Sequence, residues 1–115
     1  MDERLEKALA FSNYRATIEN RRKALRRRFD AMMVVHHNNG MFVSNQETIA
    51  FVDALLRGGH RDAVVIDTRM TPIHVADLQA FYVQLMENYF AATNEYAAES
   101  TKLSKARDVK KAMNW

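Results

Sequence analysis

The sequence predicts an α+β domain that is mostly α: a long antiparallel helical hairpin, capped at one end by a short helix and a small β-sheet. The length of 115 residues has room for a single domain, 1–115. One proline and three glycines are too few for a sandwich with many tight turns. Two long segments, about 2–37 and 75–113, contain neither residue, as expected of uninterrupted helices.

The first segment, 1–37, is predicted to form a long basic amphipathic helix over about 2–37. Its apolar residues recur at intervals of seven: Phe11, Ile18, Leu25 and Met32. Such a narrow stripe is typical of a helix that packs along one partner helix. We expect the helix to end at His36-His37-Asn38-Asn39-Gly40, because histidines suit the negative end of a helix dipole and Asn-Gly tolerates the left-handed conformation.

The middle segment, 38–74, is predicted to form the β/α cap. Short apolar runs bounded by turn residues predict three strands, at about 41–43, 63–67 and 72–74. A short helix over about 46–57 lies between the first two strands. The run Ser44-Asn45-Gln46-Glu47 has the pattern of a capping box, in which Ser44 accepts from the amide of Glu47 and Glu47 reaches back.

The last segment, 75–115, is predicted to form a second long amphipathic helix. Apolar residues alternate in steps of four and three from Leu78 to Met113, and only Glu99 and Lys110 interrupt this heptad seam. If this helix runs back along the first one, contacting residues have numbers that sum to about 112. That register places Glu95 opposite the basic part of the first helix.

A dense basic block lies within the first helix and predicts an anionic partner. The net charge of +3 conceals it, because seven basic residues between positions 15 and 28 face a single acid, Glu19. The block consists of Arg15, Arg21, Arg22, Lys23, Arg26, Arg27 and Arg28. Basic patches of this kind bind phosphate backbones or acidic protein surfaces, and both classes of partner remain open. Compensation by acids of the neighbouring helix is the structural alternative.

No pattern of catalytic or metal-binding residues stands out. His36 and His37 are adjacent, the serines lack a G-x-S-x-G context, and Gly58-Gly59 is not followed by Lys-Ser/Thr. The absence of cysteine excludes disulfides and thiolate metal sites. We therefore expect no enzyme, no metal and no cofactor. No apolar run reaches the roughly 18–20 residues of a membrane span, so we also expect no membrane partner.

The half of the hairpin far from the cap is predicted to be an oligomer interface. Two helices make one seam, which cannot cover all the apolar residues before position 15 and beyond position 95. These residues are Phe11, Tyr14, Tyr96, Leu103, Val109, Met113 and Trp115. A homo-oligomeric bundle of four or more helices would cover them.

Residues from about 40 to 115 resemble a family of phage domains. The similarity rests on Gly40-Met41-Phe42-Val43, on Val64–Asp67 and on Pro72-Ile73-His74-Val75-Ala76-Asp77-Leu78. This pattern is similar to the small uncharacterised C-terminal domain of tailed-bacteriophage tail and tail-fibre assembly proteins. The resemblance implies an assembly or virion-associated protein, located in the host cytoplasm or the virion, with no catalytic residues.

Two functions follow as hypotheses. The first is a non-enzymatic protein–protein interaction protein, such as a phage structural or tail-assembly factor, that acts as a helical oligomer. The alternative is a small basic regulator that binds nucleic acid or the transcription machinery through the block between Arg15 and Arg28.

Overall fold

Helices and short β-hairpins make up the described part of the chain, residues 2–112, in a computed structural model that places side chains through residue 106. The elements in chain order are α1 (Glu3–Met32), β1 (Val34–His37), β2 (Gly40–Val43), α2 (Gln46–Arg57), β3 (Ala63–Ile66), β4 (Pro72–Val75) and α3 (Leu78–Ala112). This confirms the mostly helical α+β class. The chain divides into a helical unit, residues 1–29 and 94–115, and a mixed unit, residues 30–93.

The first hairpin corrects the predicted end of the first helix. Helix α1 stops at Met32 rather than at residue 37, and β1 pairs antiparallel with β2, with Val35 opposite Phe42. Asn38 and Asn39 have φ values of 47° and 64°, as a type I′ hairpin turn requires. A helix end and this turn both need left-handed asparagine, so the same residues fit either structure. The β-branched pair Val34-Val35 favours the strand.

The second hairpin confirms the other strands but not the single sheet. Strands β3 and β4 pair antiparallel, with Val65 opposite Ile73, and form a two-stranded sheet separate from β1–β2. Gly40 allows the two hairpins to approach closely. A Cβ atom at Gly40 would lie 2.6 Å from Cγ1 of Ile73 and 2.9 Å from a carbon of the Phe42 ring. Real Cβ atoms essentially never approach other heavy atoms so closely.

A contiguous apolar core holds the mixed unit together. It is built from nine buried side chains: Val35, Phe42, Val52, Val65, Ile73, Val75, Leu78, Phe81 and Leu85. Three of these residues come from α3 at the spacing of one helix face, which confirms the predicted seam in this part of the helix. The Phe81 ring meets the Phe42 ring edge-on, with centroids 5.0 Å apart.

A buried polar network joins three segments of the mixed unit and corrects the predicted capping box. Asn45, not Ser44, caps α2, because its side chain accepts from the Thr48 amide at 2.9 Å. Ser44 is fully buried and donates to the Met33 carbonyl at 3.0 Å. The side-chain amide of Asn88 donates to Ser44 Oγ at 2.7 Å and to a carbonyl at the end of α1 at 2.9 Å. A buried hydroxyl needs such partners, because leaving it unpaired costs about 1–3 kcal/mol.

The buried carboxylate of Asp67 fixes the turn between β3 and β4. Its Oδ1 accepts from the amides of Arg69 and Thr71, each at 2.9 Å, and its Oδ2 accepts from the Met41 amide at 3.0 Å. The carboxylate therefore closes its own turn and also binds β2. These hydrogen bonds favour the ionised form, and the bond from Met41 makes the largest contribution to lowering the pKa of Asp67.

We expect Leu85→Ala to lower the free energy of unfolding by about 2–5 kcal/mol, because it opens a cavity in a packed core. Leu85 is fully buried, whereas Val83, two residues earlier on the same helix, is 42% exposed. Val83→Ala is the matched control and should change stability by less than about 0.5 kcal/mol. Urea denaturation of both variants makes the comparison, and equal losses would contradict the assigned helix face.

The stability that Asp67 confers should depend on pH. Because its pKa is lower in the folded state, its contribution is present above the unfolded pKa of about 3.9 and is lost as pH falls through the folded pKa. We expect Asp67→Asn to lower the urea midpoint at about pH 7 and to differ much less from the wild type at about pH 3. Glu87→Gln changes an exposed carboxylate that has no hydrogen-bonding or ionic partner among the described residues, and it serves as the control. A midpoint difference for Asp67→Asn that is the same at both pH values would refute this role.

Candidate functional site

The helical unit consists of antiparallel segments of α1 and α3 in a register that corrects the prediction. The Tyr14 hydroxyl donates to the Ala106 carbonyl at 3.0 Å, and the ring centroids of Phe29 and Tyr96 are 4.8 Å apart. These pairs have residue numbers that sum to 120 and 125, not to about 112. Helix α1 therefore meets positions of α3 about ten residues beyond those expected. The contacts between these segments include aromatic side chains, and Leu25 and Leu103 line the same cleft.

Little apolar surface is buried in this unit. Among its described side chains Ile18 alone is buried, at 5% exposure. Four more residues of the predicted seam and interface are half-buried: Tyr14, Leu25, Tyr96 and Leu103. Phe11 is 39% exposed, and the Arg15 guanidinium lies 5.8 Å from the centre of its ring. The other predicted contacts, the Val109 side chain and the residues Met113 and Trp115, lie outside the described part of the chain.

Two exposed leucines extend the apolar surface and were missed by the sequence analysis. Leu5 is 48% exposed and Leu9 is 46% exposed. At about 100° per residue, Leu9 points about 180° away from Ile18, so the two leucines form a second apolar face on α1. Their spacing of four residues is the signal that could have revealed them, because it is typical of a helix face. The predicted stripe of residues at intervals of seven describes only the opposite face of the helix.

The structure brings the predicted basic block to the surface in full. All seven side chains, Arg15, Arg21, Arg22, Lys23, Arg26, Arg27 and Arg28, are exposed. Nearby acids pair with some of them: Glu19 lies 3.0 Å from Arg22, and Glu95 pairs with Arg28. The pairing of Glu95 agrees with the prediction that α3 supplies compensating charge. Within the described residues, Arg21, Lys23 and Arg27 have no hydrogen-bonding or ionic partner.

An open cleft of about 420 Å³ lies between the two helices of the helical unit. Its charged rim is formed by Arg21, Arg28, Glu99 and Lys102, and its apolar floor by Ala24, Leu25 and Leu103. Glu99 pairs with Lys102 at 3.2 Å. Two arginines on α1 and a lysine on α3 thus face one acid across a shallow apolar base. This arrangement can hold an anion, because guanidinium groups donate paired hydrogen bonds to carboxylate or phosphate oxygens.

The two units carry net charges of opposite sign. The helical unit carries fourteen basic and seven acidic residues, a net charge of +7. The mixed unit carries three basic and seven acidic residues, a net charge of −4. The basic block is therefore part of a unit with an excess of positive charge, which the acids of the same unit offset only in part.

The mixed unit brings two other polar pairs together. His74 Nε2 lies 2.9 Å from a carboxylate oxygen of Asp62. His37 Nδ1 lies 3.2 Å from Gln84 Oε1, and the His37 ring is tilted against the Phe81 ring with centroids 4.8 Å apart. Residues 2–106, whose side chains the structure describes, contain no group of three histidine, aspartate or glutamate side chains arranged to hold a metal ion. No helix within residues 2–112 has the length and apolar character to cross a membrane.

Comparisons with known proteins add no relative: no family model, curated protein or solved structure matches the chain. The resemblance of residues 40–115 to the phage tail-assembly domain therefore stays a prediction.

Screening by salt should stabilise the helical unit. Like charges four residues apart, such as Lys23 and Arg27, destabilise a helix by about 0.2–0.5 kcal/mol per pair, and this repulsion weakens as the Debye length shrinks. We expect helicity, measured by circular dichroism near the melting midpoint, to rise between about 10 and about 200 mM NaCl.

The triple variant Arg21→Gln, Lys23→Gln, Arg27→Gln should flatten this dependence on salt. A matched control replaces Arg57, Arg61 and Arg69, the three basic residues of the mixed unit, with Gln, and both triples bring the net charge from +3 to 0. If the two triples respond to salt alike, repulsion is not concentrated in the basic block.

Proposed function

We propose that the chain is a non-enzymatic interaction protein that assembles with copies of itself through the helical unit. The observation that carries this proposal is the poor burial of that unit's apolar side chains: among those that the structure describes, one is buried, while Leu5, Leu9 and Phe11 are between 39% and 48% exposed. Monomeric proteins rarely leave contiguous apolar surface of this kind uncovered.

Energetics support the same conclusion. Full burial of one isoleucine contributes about 1.5–3 kcal/mol. Ordering each residue costs about 1–2 kcal/mol in backbone entropy, and in proteins most of the stability of a helix comes from packing of its apolar face. The helices of this unit therefore need more apolar burial than Ile18 provides. A second copy offers the same unburied side chains and is the simplest source of that burial.

The two apolar faces of α1 suit a bundle. The face that carries Ile18 packs against α3, and the face that carries Leu5 and Leu9 points to the other side. Two such pairs of helices, joined where Leu5 and Leu9 lie, make a four-helix arrangement over the first part of α1, before the basic block begins. Glu99, half-buried and paired with Lys102, adds a polar position within the seam of the kind that sets register at some cost in stability.

An assembly role agrees with the phage resemblance. Assembly factors act by binding themselves or other structural proteins, which needs exposed interaction surfaces and no catalytic groups. On this proposal the protein works in the host cytoplasm or in the virion as a tail-assembly or structural component.

The oligomeric state tests the proposal directly. At about 50 μM the wild type should elute in size-exclusion chromatography with light scattering at the mass of a dimer or larger, since association follows mass action. The variant Leu5→Glu, Leu9→Glu should shift to the mass of one chain and melt at a lower temperature, because charge on the outer face opposes association.

The matched control is Val83→Glu, Phe90→Glu. These α3 residues are 42% and 52% exposed and lie in the mixed unit, so the control adds the same charge at similar exposure. The control should keep the oligomeric mass. A wild type with the mass of one chain, or two variants that change the mass equally, would contradict self-association through α1.

A further inference from the structure

Charge density on α1 points to a partner beyond a second copy of this chain. The block from Arg15 to Arg28 rises about 20 Å along the helix at about 1.5 Å per residue. It carries seven cations and one acid, all exposed, within a unit of net charge +7. Acids of the chain neutralise only part of the block, because Glu19 and Glu95 pair with Arg22 and Arg28 while Arg21, Lys23 and Arg27 have no partner among the described residues.

We propose that this surface binds the phosphodiester backbone of nucleic acid without reading its sequence. Duplex DNA carries about one charge per 1.7 Å of axis, so about 20 Å of duplex presents about 12 phosphates. A partner of that charge density can neutralise the whole block. Six of the seven cations are arginines, whose fork geometry donates paired hydrogen bonds to phosphate oxygens.

The placement of the cations favours backbone contacts over base reading. Arg21 and Arg28 lie on one flank of the apolar seam, Arg22 and Arg26 lie on the other, and Arg27 lies about opposite the seam at about 100° per residue. A helix that reads bases concentrates its contacts on the face that enters the groove. The block also contains a single side-chain amide, Asn20, so amide groups that recognise adenine are scarce.

The cleft gives the surface an anchoring point. Arg21 and Arg28 are two turns apart on α1, a rise of about 10.5 Å, and Lys102 of α3 lines the same cleft. A phosphate seated there meets Arg21, which has no partner among the described residues. It also competes with the carboxylates of Glu95 and Glu99, which pair with Arg28 and Lys102. Leu25 and Leu103, both half-buried, line the cleft beside these cations.

Two other anionic partners fit less well. A helix lying on an anionic bilayer inserts one apolar face, but between Arg15 and Arg28 the apolar residues Ile18 and Leu25 pack towards α3. A rigid acidic protein reaches one flank of the helix, whereas the cations occupy both flanks. A continuous polyanion with closely spaced charges matches this distribution better.

The test measures binding of the full chain to fluorescently labelled duplexes of about 25 base pairs, by anisotropy over a salt series. Five to seven phosphate contacts predict a slope of log Kobs against log salt of about −4.5 to −6, and two unrelated sequences should bind within about threefold of each other. The triple variant Arg21→Gln, Lys23→Gln, Arg27→Gln should reduce the slope by about 2.7 and weaken binding at least about tenfold. The triple control at Arg57, Arg61 and Arg69, equal in net charge, should bind like the wild type.

Several results would overturn the proposal. These are a salt slope shallower than about −1, equal losses for the two triples, and displacement of DNA at matched charge concentration by poly-glutamate or by phosphatidylserine vesicles. Displacement by poly-glutamate would assign the surface to an acidic protein, and displacement by the vesicles would assign it to a membrane. The proposal does not rest on self-association, because the mass of the leucine variant is measured separately, and either hypothesis can fail alone.

Discussion

Two helices in contact bury one seam between them, and in the helical unit this limit leaves most apolar side chains at least partly in water. Ile18 is buried, whereas Tyr14, Leu25, Tyr96 and Leu103 are half-buried and Leu5 and Leu9 are exposed. A third or fourth helix would remove this exposure without any change in the two present. The same geometry keeps the basic block at the surface, because side chains that flank a single seam have nothing packed over them.

The mixed unit satisfies its own requirements. Its core takes side chains from both hairpins, from α2 and from α3, and its buried polar atoms have partners: Ser44 is held by Asn88 and by the Met33 carbonyl, and Asp67 accepts three backbone amides. Buried polar groups of this kind specify one arrangement only when they are fully paired. On the proposed function the packed unit supplies stability and the incompletely packed unit supplies the interaction surface, and their net charges are −4 and +7.

The elements that depend on local sequence patterns could be predicted. The prediction failed where one sequence pattern is compatible with two different structures. Helix α2, strands β3 and β4 and the seam from Leu78 to Leu85 followed from periodicity and β-branched runs. Asn38-Asn39 suits a helix end and a type I′ turn equally, and the β-branched pair Val34-Val35 together with the pairing of Val35 with Phe42 decides for the turn. The predicted register of α1 against α3 was wrong, because a heptad pattern determines which helix faces are in contact but not how far one helix is shifted along the other. The exposure of the basic block followed from composition alone, whereas the cleft between Arg21 and Lys102 needed that register.

Hydrogen exchange at two protein concentrations tests most directly whether the helical unit depends on association. Amides of α1 between about residues 5 and 18 should gain protection as the chain concentration rises from about 1 to about 100 μM, because bound copies bury the outer face that carries Leu5 and Leu9. Amides of β1, β2 and the start of α3 should show the same protection throughout, because the core around Phe81 is complete in one chain. Protection in α1 that is high and independent of concentration would contradict the account, since the helical unit would then be stable in a single copy.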